Sequence, residues 1–250
     1  EFLSWLYSES VVKDSVVVND RWAKFSDGKK HGDYYTREYS ANDAVFDKPW
    51  EECRGMGFSF GYNQNEDLED YATPQALILT LVNIVSKGGN LLLDIGPTAN
   101  GKIPPIMQER LSQMGEWLKI NGEAIYGTRR WKHVDQWSSG DRNWKYNGKY
   151  YVSGNAILKQ TVDPDPGYAV QEVFFTSKGD NIYAILPKYL KSIVLKDIYS
   201  TSQTKISLLG CDKEVEWKQE KDNIRITMPF LSFEELSCNY AWTLKLEKVK

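Results

Sequence analysis

Between His31 and Cys53 the sequence runs HGDYYTREYSANDAVFDKPWEEC. It carries carboxylates at Asp33, Glu38, Asp43, Asp47, Glu51 and Glu52, with aromatic rings interleaved among them. Carboxylates in pairs can hydrolyse a glycosidic bond. One protonates the leaving oxygen while the other attacks the sugar or activates water. Taken singly, each of these six reads as a solvated charge. Asp94, which closes the apolar run NLLLDIGP, reads as a carboxylate that hydrogen-bonds the backbone of the next loop.

Other site chemistries lack their residues. Cys53, Cys211 and Cys238 are far apart and form no CxxC pair, and His31 and His133 are the two histidines, so no metal centre is expected. In GGNLLLDIGPTANG the glycine pair precedes the strand, with no GxGxxG order and no Walker lysine, which argues against a bound nucleotide cofactor. No GxSxG elbow of a serine hydrolase occurs. A net charge of −3 gives no basic field for a nucleic acid. No apolar run reaches the roughly 18 residues of a membrane span, and the N-terminus does not read as a signal peptide. The chain opens on EFLSWLYSES, an uncapped amphipathic stretch that reads as the inside of a domain. Aromatics make up 13% of the chain, with nine Trp and fifteen Tyr, residues that stack on sugar faces as readily as they fill a β-rich core.

The elements that must position these residues change character along the chain. SVVVNDRW (15–22) reads as a strand, 31–53 as the long loop after it, and FSFGYN (58–63) as a second strand. A helix is expected from Thr73 as N-cap and Pro74 at N1 to a stop at Gly88, with Leu77, Leu81 and Ile84 on its core face. NLLLDIGP reads as a strand buried on both faces, as in a parallel sheet. The next helix starts at Pro104 or Pro105 and buries Met107, Leu111, Met114 and Leu118 before Gly122 ends it. Beyond Thr128 the sequence turns to strands at 172–188, 192–198, 204–210, 223–229 and 241–249, separated by turn signals, which predicts an antiparallel β-sandwich. The expected fold is therefore α/β over residues 1–128 followed by an all-β domain over 129–250.

The stretch NLLLDIGPTANGKIPPIMQERLSQMGEWLKINGEAIYGTR resembles the α-L-fucosidases of glycoside hydrolase family 29, as do FLSWLYSES, VVVNDRW, HGDYYTREY, WEEC and FSFGYN, in family order. The likeness is close over about residues 2–130 and looser beyond. It implies the C-terminal half of a (β/α)8-like barrel followed by a β-sandwich, and a retaining exo-α-L-fucosidase acting by double displacement on fucosylated oligosaccharides or glycoconjugates. The family's aspartate nucleophile lies shortly before the FLSWLY helix, so this chain would supply the acid/base and need the N-terminal half of the enzyme as its partner. A homo-oligomer and a lysosomal, periplasmic or secreted location fit the family. A catalytically inactive fucose- or glycan-binding relative is the alternative, and a purely structural sandwich a third.

The resemblance carries Arg21 of NDRW over as a fucose ligand and Phe60 of SFGYN as a ring packed on the sugar. For the acid/base it offers Glu38 in YYTREY and Glu51 in WEEC. Glu38, flanked by Tyr34, Tyr35 and Tyr39 on the loop, suits a group that must reach a leaving oxygen, whereas Glu51 beside Trp50 suits a buried support, so Glu38 is favoured. Arg37 stands where the family usually has proline, and a cation beside the acid would favour its ionised form unless it points away.

Overall fold

The structure is a computed structural model that describes residues 1–24, 30–39, 45–145 and 155–250. Asp43 lies outside them. The chain is mixed α/β and mostly sheet. Its first part holds helix α1 (Phe2–Ser8), the two-residue strands β1 (Ala23–Lys24) and β2 (Lys30–His31), and strands β3 (Tyr35–Glu38), β4 (Trp50–Gly55) and β5 (Gly89–Asp94). Strands β3, β4 and β5 form a parallel sheet in that order, and a parallel bridge from Asn19 to Tyr34 extends it by one rung.

This sheet corrects the sequence reading in four places. The stretch 31–53 is not one long loop, because β3 and the start of β4 lie inside it. The stretch 15–22 is no regular strand; it meets its neighbour through the bridge at Asn19 and the bond from Asp33 N to Val18 O. FSFGYN is a bend rather than a strand, and the strand is the charged WEECRG just before it. Charge hid β4 because its polar side chains are paired: Glu52 and Arg54 are buried and hydrogen-bond each other at 3.3 Å. β5 is not covered on both faces either. Leu92 is half exposed, and Asn90 on the same face of the strand is exposed too.

Helix α2 (Pro74–Ser86) begins where capping chemistry predicts, with the Thr73 hydroxyl accepting from Ala76 N. Its burial exceeds the single core face expected. Leu77, Ile78, Leu79, Val82 and Ile84 are all buried, so the helix is covered on nearly every side. It packs against β5, α3 (Pro105–Asn121), α4 (Ala156–Lys159) and the first two strands of the second part. On α3 the buried residues are Met107, Met114, Trp117 and Asn121; of the expected stripe Leu111 is exposed and Leu118 only partly buried, while Trp117, not expected, is buried.

The second part is a sandwich. A five-stranded antiparallel sheet has the order β10 (Lys205–Leu208), β13 (Trp242–Glu247), β8 (Asn181–Leu186), β7 (Gln171–Lys178), β6 (Arg129–Trp137). A three-stranded sheet has the order β11 (Glu216–Glu220), β12 (Asn223–Thr227), β9 (Ser192–Lys196). Two further strands, β6 and β11, carry no strand signal in the sequence, both being rich in charged residues and without clean alternation. The larger sheet is covered twice. Val173, Phe175, Ala184 and Leu186 face the smaller sheet, while Phe174, Tyr183 and Ile185 face α2 and α3. That is why β7 and β8 read as continuous apolar runs rather than alternating ones.

Polar contacts fix this junction. Trp117 Nε1 donates to Ala241 O at 2.9 Å, and Gln75 Nε2 donates to Tyr240 O at 3.0 Å. The Glu123 carboxylate accepts from Tyr183 OH at 2.7 Å and pairs with Lys245 at 2.6 Å. The Lys245 and Tyr183 bonds hold Glu123 below the usual carboxylate range, and burial together with Glu123 pushes the Tyr183 phenol up to about 12. No helix among the described residues is long and apolar enough to cross a membrane.

Two predictions follow from the doubly covered sheet. Phe174→Ala and Phe175→Ala each lose about 3–5 kcal/mol in urea unfolding, since each empties a different core; a near-neutral result for either would mean that its face is not buried. Because the folded pKa of Glu123 is depressed, its stabilisation is full above the unfolded carboxylate value and fades as pH falls through the folded one. Glu123→Gln therefore flattens the acid limb of the stability–pH curve and, by relieving part of the upward shift of Tyr183, makes the alkaline limb above the ordinary tyrosine range shallower as well.

Candidate active site

In a parallel sheet the reactive groups gather at the carboxyl ends of the strands, where the loops leave. Glu38 is the last residue of β3 and stands opposite Cys53, while Asp94 is the last residue of β5 and stands opposite Gly55. Side chains alternate across a strand. Thr36, Glu38, Glu51, Cys53, Asn90, Leu92 and Asp94 therefore share one face, and Arg37, Glu52 and Arg54 point to the other. Burial pushes the Cys53 thiol up, and the charges of Asp94, Glu38 and Glu51 add to it while Arg21 opposes them. These carboxylates converge on one corner.

Arg21 sits over that corner. Its NH1 lies 2.8 Å from Glu38 Oε1, with both side chains close to half exposed. Such a pair contributes at most about 1 kcal/mol to stability, so its effect is on orientation. Arg21 is aimed by Thr36: Nε donates to Thr36 Oγ1 at 2.6 Å, and that hydroxyl donates to Asp20 Oδ1 at 2.7 Å. Asp20 also accepts from Thr36 N at 2.9 Å. Asp20 and Thr36 are both buried, so the exposed guanidinium is anchored by a buried network.

Arg37 points away from Glu38 and lies 4.8 Å over the Phe46 ring. Tyr39 follows at φ 44°, a left-handed conformation that costs a bulky residue energy. The turn sends its ring inward, where its hydroxyl accepts from Gly55 N at 2.8 Å and donates to Gly57 O at 3.3 Å. Burial raises the Tyr39 phenol. Phe60 meets Tyr39 edge to face, with ring centroids 5.1 Å apart, and is partly buried. A side chain at Gly55 would meet Ser59 O at 2.2 Å, so this crossing needs glycine.

Three of the expected site residues are thus linked: Arg21 to Glu38 directly, and Phe60 through Tyr39. Glu51 lies two residues earlier on its strand than Cys53, opposite Thr36 and about 7 Å below the rung of Glu38. It is half-buried, and the buried, paired carboxylate of this strand is its neighbour Glu52. Sequence reasoning missed Asp20, Thr36 and the turn at Tyr39. The signal for Thr36 was its i, i+2 spacing to Glu38, which has meaning only once 35–38 is a strand. A cleft of about 700 Å³ lined by Lys48, Lys87, Asn90 and Arg130 lies at the opposite, N-terminal ends of the strands. Among the described residues no group of three or more His, Cys, Asp or Glu could hold a metal ion.

Thr36→Val removes the hydroxyl between Arg21 and the buried Asp20. It lowers stability by about 1–3 kcal/mol in urea unfolding, and Thr36→Ser, which keeps the hydroxyl, recovers most of the loss. Equal losses for the two variants would assign the effect to packing.

With this geometry in place, likeness to known proteins becomes informative. The family model "Alpha-L-fucosidase" matches residues 1–123, and "Alpha-L-fucosidase C-terminal domain" matches residues 168–247. The plasma α-L-fucosidase of Rattus norvegicus is 39% identical over 257 residues, covering 100% of this chain and 49% of that protein. The tissue α-L-fucosidase of Homo sapiens is 39% identical over 254 residues, covering 100% and 48%. Among solved structures, the Thermotoga maritima α-fucosidase in complex with fucose superposes with a TM-score of 0.67 at 30% identity, covering 98% of this chain and 47% of that one. The same enzyme with a mechanism-based inhibitor gives a TM-score of 0.68. The chain spans about half the length of the curated relatives it matches.

Proposed function

The chain belongs to the α-L-fucosidase family, and from that premise we propose that it is the acid/base-bearing half of a retaining exo-α-L-fucosidase. The observation that carries this reading is the Arg21–Glu38 pair at the carboxyl end of β3. Residues 1–128 would form the second half of a (β/α)8-like barrel, with the Asn19 bridge and strands β3 to β5 as its last parallel rungs, and residues 129–250 the β-sandwich. The half-exposed Leu92 on the same face as Glu38 supports a covering partner there. In this reading the partner is the N-terminal half, which brings the aspartate nucleophile.

In the first step the aspartate carboxylate would attack the anomeric carbon of a terminal fucose. The glycosidic C–O bond breaks, and Glu38 gives its proton to the leaving oxygen. In the second step Glu38, now a carboxylate, takes a proton from water, whose oxygen bonds the anomeric carbon and releases the aspartate. Arg21 holds Glu38 in the free protein. On substrate binding its guanidinium would turn to the fucose, freeing the Glu38 oxygen to meet the glycosidic oxygen. Phe60, braced by Tyr39, would pack on the apolar side of the sugar. No metal or organic cofactor takes part in these steps. Glu51 is the second choice for the acid/base, and its lower rung argues against it.

In the full-length enzyme, Glu38→Ala cuts kcat/KM on substrates with poor leaving groups by about 10²–10⁴-fold, spares activated aryl fucosides far more, and regains activity with azide. The same signature in Glu51→Ala would transfer the role to Glu51. Tight fucose binding with no turnover by the unmodified enzyme would favour a non-catalytic binding protein instead.

A further inference from the structure

The loops leaving β4 and β5 line a second, open hollow at the carboxyl end of the sheet, the end at which Glu38 stands. It holds about 900 Å³, within the span of small-ligand sites, and is lined by Tyr62, Asn100, Lys102, Pro104 and Gln108 among others. Its two walls are pressed together. A side chain at Gly96 would meet Tyr62 N at 2.3 Å, so the loop after β5 lies directly on the backbone that follows Phe60. Tyr62 in the wall of the hollow follows Phe60, the expected sugar-facing ring, by two residues. Strands stand about 4.8 Å apart, which puts loops one and two strands beyond Glu38 within reach of what fucose is attached to rather than of fucose itself.

The polar groups of this hollow are fixed in advance. The Asn100 side-chain oxygen accepts from Thr98 Oγ1 and from Lys102 N, which turns its amide nitrogen outward as a donor. Gln108 Nε2 donates to Ile103 O at 2.7 Å, which leaves its oxygen as an acceptor. Tyr62 is half exposed and presents a ring beside them. An exposed aromatic ring beside an oriented donor and an oriented acceptor is chemistry that recognises a hydroxylated pyranose, since the ring takes the apolar sugar face and the amides take the hydroxyls. We propose that this hollow is the subsite for the leaving oligosaccharide. There Tyr62 stacks on a hexose and Asn100 and Gln108 hydrogen-bond its hydroxyls, so specificity for the attached glycan is set by the β4 and β5 loops. The proposal rests on the fucosidase reading above.

The test uses the full-length enzyme with 2′-fucosyllactose and 4-nitrophenyl α-L-fucoside, which share the fucose and differ in what leaves. Tyr62→Ala lowers the ratio of kcat/KM for 2′-fucosyllactose over the aryl fucoside by roughly tenfold, the size of one lost aromatic contact, mainly through KM. Asn100→Ala and Gln108→Ala lower the same ratio by smaller factors, and give a second reading if Tyr62→Ala folds poorly. An unchanged ratio in all three variants, or an equal fall on both substrates, overturns the subsite. An unmodified enzyme inactive on both substrates would sink the fucosidase reading alone. Calorimetric titration with lactose then decides the hollow by itself: binding that Tyr62→Ala abolishes supports it, and no binding, or binding that the variant keeps, overturns it.

Discussion

Helix α2 has no side that suits water. Leu77, Ile78, Leu79, Val82 and Ile84 are buried around its circumference, so it is stable only when surrounded. β5 and α3 cover it from the first part of the chain, and β6, β7 and α4 from the second. The parallel sheet and the sandwich are thus not separable bodies that happen to touch. Each supplies part of the apolar wall that this helix requires, and the helix in turn covers the outer faces of β5 and β7. Thr73 starts it and Gly88, at φ 81°, releases the chain into β5.

The position of the reactive corner is inherited from that arrangement. α2 holds β5, β5 fixes the register of β4 by pairing Gly55 with Asp94, and β4 fixes β3 by pairing Cys53 with Glu38. A slip of one residue in either pairing would turn Glu38 to the far side and bring Arg37 in. A buried polar pair guards against such slips. Asp20 with Thr36 joins two segments and forms only in this register, whereas Glu52 with Arg54 pairs within β4 itself.

Legibility followed the strength of the local signal. α2, α3 and β5 were readable because caps, prolines and apolar runs coincide there. The sandwich was readable from its turns, yet β6 and β11 were not, since charged side chains line their exposed faces. The strands inside the loop expected over 31–53 are hidden for a related reason. Its strands carry carboxylates whose partners, Arg21 and Arg54, are distant or adjacent in ways that strand periodicity does not reveal. Glu38, Arg21 and Phe60 came from the resemblance, and their linkage through Thr36 and Tyr39 came only from the fold.

Glu38 and Glu51 share a face because both lie at even spacing on neighbouring parallel strands, so face alone cannot choose between them. Height does. Glu38 occupies the terminal rung, where the chain turns at Tyr39 and a substrate can approach from the loops. Glu51 sits two residues inside its strand, with Cys53 between it and the rim. A proton donor must touch the leaving oxygen at hydrogen-bond distance, and the leaving group is the part of the substrate that points out of the site. The rim position suits that requirement better than the inner one, and this is the ground on which we propose Glu38. The same asymmetry explains why the guanidinium anchored by Asp20 and Thr36 meets Glu38. Its anchor lies on the Glu51 rung, and its charged end is carried up one step to the terminal rung of Glu38.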